Sequence, residues 1–117
     1  MDSIASAASL PHGFHASFEV ALSDFLLKLG ALLNQNRGSL PLMTVTRDPG
    51  GKKYIRIVRS DGSQGGRSVY CFVGVADGGI YKPAGWASPA PTARGNIYNV
   101  DQLQGCGRFG VAYLNNR

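Results

Sequence analysis

The hydrophobic period of this chain changes once, and that change limits the folds open to it. From Ser17 to about Asn36 the apolar positions are Phe18, Leu22, Phe25, Leu29 and Leu32, with Leu26 and Leu33 widening the stripe. Spacings of three and four residues give an amphipathic helix with one broad apolar face. Ser17 is placed to cap it, Glu19 lies in the first turn, and Gly38 follows as a stop. Gly30 weakens the interior by about 1 kcal/mol against Ala, which points to close packing there. Such a helix is marginal alone and needs a sheet or a partner over its stripe.

Beyond Gly38 the period falls to two. Leu42–Arg47 alternates as a first strand, and Asp48-Pro49-Gly50-Gly51 turns the chain. Lys53–Arg59 is a second strand, with Ile55 and Ile57 on one face and Tyr54, Arg56 and Val58 on the other. Arg67–Ala76 is a third, with Val69, Cys71, Val73 and Val75 opposite Tyr70 and Phe72. It is apolar on both faces and therefore central. Ile80–Lys82 is a short fourth strand; Asn96–Val100 and Phe109–Leu114 are further candidates. The expectation is a single α+β domain over residues 17–117. One N-terminal helix packs on a mostly antiparallel sheet of four or five strands. The helix covers the Ile55/Ile57 face, and Tyr54 and Arg56 point outward. Residues 1–16, small and polar around an acidic Asp2, are expected to form a flexible arm.

Between the fourth strand and Tyr98 lies the most distinctive composition. Residues 77–98 hold the only tryptophan, Trp86, and three of the six prolines. Pro83, Pro89 and Pro91 exclude a helix here. Tyr81, Lys82, Trp86, Arg94 and Tyr98 therefore sit on a stiffened segment. Trp86 has two readings, a stacking platform for a ligand or a lid packed on the core.

The net charge is +5, unevenly spread. Two bases meet three acids up to Arg37, whereas ten bases meet four acids from Gly38 onward. Three of those four acids, Asp48, Asp61 and Asp77, mark turns, so the strands carry bases without acids. The basic set is Arg47, Lys52, Lys53, Arg56, Arg59, Arg67, Lys82 and Arg94, interleaved with Tyr54, Tyr70, Tyr81, Trp86 and Tyr98. Cations neutralise phosphates, and aromatic faces stack on unpaired bases at about 1–3 kcal/mol each. A single strand exposes both features together, so the mixture favours single-stranded DNA or RNA over duplex. Lys53, Arg56, Arg59 and Lys82 would contact phosphates, with Arg67 and Arg94 adding charge. Tyr54, Tyr81 and Trp86 would offer stacking faces. Tyr54 and Tyr70 have the alternative of packing across strands.

Other chemistries find little support. Gly105-x-Gly107-x-x-Gly110 has neither the strand before it nor the helix after it that a dinucleotide loop requires. His12 and His15 lack a third ligand nearby, and the acids form no pair. Cys71 reads as a buried free thiol, with a disulfide to Cys106 the less favoured state. No catalytic motif, metal site or cofactor is expected. No apolar run approaches the ~20 residues that span a bilayer, and no signal peptide is legible.

The run Asp77-Gly78-Gly79-Ile80-Tyr81-Lys82-Pro83-Ala84-Gly85-Trp86-Ala87-Ser88-Pro89-Ala90, followed by Ala93-Arg94-Gly95-Asn96-Ile97-Tyr98, resembles a block in small uncharacterised proteins of bacterial viruses. The strand Ser68–Val73 is similar too, and the likeness spans roughly residues 52–98. It implies a viral protein working in the host cytoplasm, either handling nucleic acid or building a particle. Ser88 and Thr92 stand where such proteins tend to be basic. The leading expectation is a small non-enzymatic binder of single-stranded nucleic acid. The alternative is a structural or assembly protein, self-associating through the helix or a sheet edge.

Overall fold

The computed structural model describes residues 16–61, 66–107 and 110–111. One helix, α1 (Ala16–Leu33), precedes five strands: β1 (Thr44–Arg47), β2 (Tyr54–Ser60), β3 (Arg67–Gly74), β4 (Gly79–Pro83) and β5 (Pro89–Asn96). All neighbouring strands pair antiparallel, in the order β1-β2-β3-β4-β5. The fold is α+β, with the helix N-terminal to the sheet. The expected arm lies outside the described residues except for Ala16, as do His12 and His15. Ser17 lies within α1 rather than capping it.

The stripe of α1 is buried at Phe18, Leu22, Phe25, Leu29 and Leu33, with Leu26 and Leu32 half-buried beside it. It packs with Ile55, Ile57, Tyr70, Cys71, Val73, Ile80, Ile97 and Val111. Each such side chain contributes roughly 1.5–3 kcal/mol relative to exposure. Gly30 is not a close-packing site, since a Cβ there would meet nothing within 4 Å. The helix ends on Asn34. Its Nδ2 donates to the Gly30 carbonyl at 2.9 Å and the Met43 carbonyl at 3.0 Å, and its Oδ1 accepts from Met43 N at 2.7 Å. One amide thus satisfies an orphan helix carbonyl and ties the approach to β1 to it. Asn36 and Gly38, both at positive φ, turn the chain between them.

Two expectations about the strands are corrected. In β3, Cys71 faces Ile57 but Val69 faces Val58, so Tyr70 is an extra residue. This bulge reverses parity: Tyr70 joins the core beside Cys71, and the face sharing expected of Val69 and Cys71 is lost. The buried Tyr70 hydroxyl donates to the Gly107 carbonyl at 2.6 Å and accepts from Gly107 N at 3.0 Å. Second, the proline segment is itself a strand. Pro89–Asn96 pairs with β4, and residues 97–100 turn away where a strand was expected. As β5 lies at the sheet edge, its prolines are tolerated there. Phe109 and Leu114 of the last expected strand lie outside the described residues; Val111 bridges to Cys106. Cys71 and Cys106 are free thiols.

Candidate binding site on the open sheet face

With α1 on one face of the sheet, alternation sends Tyr54, Arg56 and Val58 of β2 to the other. Phe72 of β3 lies in register between Arg56 and Tyr81 of β4. It is only 3% exposed, although it stands outside the cluster under the helix. The cover on this open face comes from the β4–β5 hairpin. Ala84 N and Gly85 N donate to the Ser88 carbonyl at 2.9 and 3.3 Å, which closes a tight tip around Trp86. The tip reaches across β3 to β2, where Arg56 Nε donates to the Trp86 carbonyl at 2.9 Å.

Two guanidinium groups lie over the indole. The central carbon of Arg56 is 5.0 Å from the ring centroid and that of Arg67 is 5.5 Å. Both are within cation–π range. Trp86 remains 46% exposed, so it is neither a core residue nor a sealed lid.

Asp48 joins the two arginines. Its Oδ2 accepts from Arg56 Nη1 at 3.1 Å and its Oδ1 from Arg67 Nη2 at 2.5 Å. The carboxylate is the least exposed member of the set, at 15% against 26% for Arg56 and 49% for Arg67. Asp48 N also donates to the Arg56 carbonyl at 2.9 Å, so backbone and side chain act together. The turn beyond it requires glycine: Gly50 and Gly51 have φ of 87° and 73°, and a Cβ at Gly51 would collide with the Tyr54 carbonyl.

Tyr54 and Tyr81 continue the open face. Their rings meet edge to face at 5.4 Å across the intervening β3. The β3 residue opposite Tyr54 is Gly74, where a Cβ would collide with Asp77 and crowd the Tyr81 ring. The missing side chain is what lets the two tyrosines meet. The Tyr81 hydroxyl donates to Asp77 Oδ2 at 2.9 Å, and that bond raises its pKa. Lys53, beside the pair, holds its Nζ 5.9 Å from the Tyr54 ring centroid.

Of the residues expected to bind, Arg56, Arg67 and Trp86 come together, with Lys53, Tyr54 and Tyr81 adjoining. The rest lie elsewhere. Arg59 donates to Ser68 Oγ at 3.2 Å and stacks at 5.4 Å on Tyr70, which the bulge has turned to the core side. With Lys82 and Val111 it lines a separate hollow of about 340 Å³. Arg94 is half-buried on the edge strand β5. The expected phosphate set is therefore split between two places.

Asp48 was absent from that set. Its role was legible in the hairpin register, because Arg47 opposite Ile57 places the next residue near Arg56. The strands themselves carry bases without acids, but Asp48, just beyond β1, pairs with two of those bases, and Glu19 of α1 accepts from Arg47 at 2.7 Å.

A second surface lies between α1 and the segment that follows β5. Val20, Ala21 and Leu27 form a groove of about 770 Å³ with Ile97, Tyr98 and Val100. Val20, Leu27, Tyr98 and Val100 are all exposed. At its floor Gln102 Nε2 donates to the Ala21 carbonyl at 2.9 Å and the Ile97 carbonyl at 2.7 Å, tying the loop to the helix. No group of three metal-ligating side chains occurs among the described residues. No helix among them is long and apolar enough to cross a membrane.

Residues 22–109 match a family of unknown function, DUF7717. The chain belongs to that family. The DUF7717 match takes in most of α1, the whole sheet and every member of the Trp86 cluster. It extends upstream of the block at residues 52–98. No curated protein and no solved structure matches the chain.

Proposed function

We propose that this DUF7717 protein is a non-enzymatic binder of single-stranded nucleic acid. The supporting observation is the half-exposed indole of Trp86 held on an open sheet face beside two arginines of neighbouring strands. Aromatic surface beside guanidinium donors suits a strand whose bases and phosphates are both accessible. Arg56 and Arg67 offer the phosphate donors. Trp86 offers the stacking face, and Tyr54, Tyr81 and Lys53 extend the track. Arg59, Lys82 and Arg94 have no place at the first contact in this reading. The setting is that of a bacterial virus acting in the host cytoplasm, as the sequence block implies.

Filter retention of labelled single-stranded oligonucleotides across a salt series tests this. Retention at low salt that falls as salt rises is the expected result. No retention at low salt, or retention indifferent to salt, would refute it.

The apolar groove favours a second reading, self-association in an assembly role. The buried stripe of α1 does not support it, because the sheet covers that stripe. Val20 and Leu27, outside the stripe, do. Light scattering separates the readings: a monomer that retains oligonucleotides supports the first, and a large closed oligomer indifferent to them supports the second.

A further inference from the structure

The charge of the Trp86 cluster is set by one residue. Two guanidiniums share one carboxylate, which leaves a single uncompensated positive charge on the exposed side. Arg56 commits one N–H to the Trp86 carbonyl and one to Asp48, and Arg67 commits one to Asp48. Each guanidinium carries five donors, so most of them remain for a ligand. The site is rich in donors and poor in net charge. A terminal phosphate carries roughly −1.5 to −2 and would leave excess negative charge beside Asp48. An internal phosphodiester carries one charge and balances the site.

We infer that Asp48 is a specificity-determining residue that matches the Arg56–Arg67 pair to one internal phosphodiester of a single strand, with a neighbouring base on the exposed surface of Trp86. This rests on the single-strand reading above. The carboxylate holds both guanidiniums in place before the ligand arrives and lowers the attraction of the empty site for anions in general. Asp48 therefore acts in two opposed ways, by orienting the arginines and by reducing their charge, and the two can be separated experimentally.

The probe is a fluorescein-labelled oligothymidylate of about ten nucleotides, followed by anisotropy between about 50 and 200 mM salt. Each phosphate contact contributes about −0.7 to the slope of log affinity against log salt for a single strand. Asp48→Asn keeps the side-chain size and one of the two acceptors, and removes the charge. It is expected to tighten low-salt binding several-fold and to steepen the slope by up to about 0.7. Arg67→Gln is expected to weaken binding several-fold and flatten the slope by a similar amount. Asp48→Glu restores the charge and with it the wild-type slope. A 5′-phosphate on the probe is expected to give no gain.

Weaker binding by both Asp48→Asn and Arg67→Gln with an unchanged slope would overturn the inference, as would a preference for the 5′-phosphate, while leaving the single-strand reading intact. Failure of the wild-type protein to bind the probe would overturn that reading as well. Circular dichroism melts identify any variant that does not fold. In that case Arg67→Gln and the 5′-phosphate comparison still decide.

Discussion

The face of the sheet under α1 and the face that carries Trp86 are made by the same strands but held by different forces. Under the helix, Leu29 and Phe25 pack against Ile55, Ile57 and Val73 without a charged group among them. On the open face, Arg56, Arg67 and Asp48 lie around a half-exposed indole, and Phe72 and Val58 are buried hydrophobic side chains there. Burial holds the first face, and its contribution grows with apolar area. Directional hydrogen bonds and cation–π contacts hold the second, each small where water reaches it. The apolar core and the proposed recognition surface thus lie on opposite sides of one sheet, so each can be altered while the other is watched.

The largest expected effect lies on the covered face. Leu29→Ala leaves a cavity at a fully buried site and should cost about 2–5 kcal/mol in denaturant melts. Oligonucleotide affinity per folded molecule should not change. A joint loss of stability and affinity would break the separation of the faces.

Trp86→Ala is the complementary change. It should weaken single-strand binding by about 1–3 kcal/mol, read by anisotropy. The melting curve should move little, because the indole is half-exposed. A collapse in stability would show that the hairpin tip supports the core through Phe72.

The thiols sharpen the covered side. Burial pushes Cys106 from 9.0 up to about 11, and burial raises Cys71 as well. The folded protein holds these protons more tightly than the unfolded chain. The stability this adds is fully present below about 9 and is lost as pH rises through about 11. Unfolding midpoints in urea should therefore decline across that alkaline window. At neutral pH a thiol-specific reagent should label buried Cys71 only once denaturant is added, and half-buried Cys106 more slowly than in the unfolded chain.

The smallest effect is a gain. Gly30→Ala should stabilise by about 1 kcal/mol or less, since a methyl group there meets open space. A loss in a thermal melt would mean that the solvent side of α1 is covered in solution.

The legibility of the fold follows the range of the forces involved. The stripe of α1 was readable because helical period is a local property, and five of its seven apolar positions are fully buried. The covered face of β2 was readable for the same reason. Tyr70 was not, because a bulge is fixed by the pairing of two strands and leaves no mark in either alone. Strand β5 was hidden by its prolines, which are excluded from central strands but tolerated at an edge. The site was half readable. Arg56, Arg67 and Trp86 announced themselves by type. Arg59 shares their type but alternates onto the Ile55/Ile57 side of β2, away from them. Asp48 is hidden in the sequence because an aspartate before Pro-Gly-Gly is already accounted for by the turn, and its carboxylate's second role depends on arginines brought in by other strands.

The placement of Pro89 and Pro91 has a consequence for how copies of this chain can meet. A proline offers no amide hydrogen, so the outer rim of β5 cannot present a full row of donors to an incoming strand. The opposite rim, β1, is only four residues long. Sheet growth from molecule to molecule is discouraged at both ends. Copies of this chain crowded together are thus hindered from zipping into fibres.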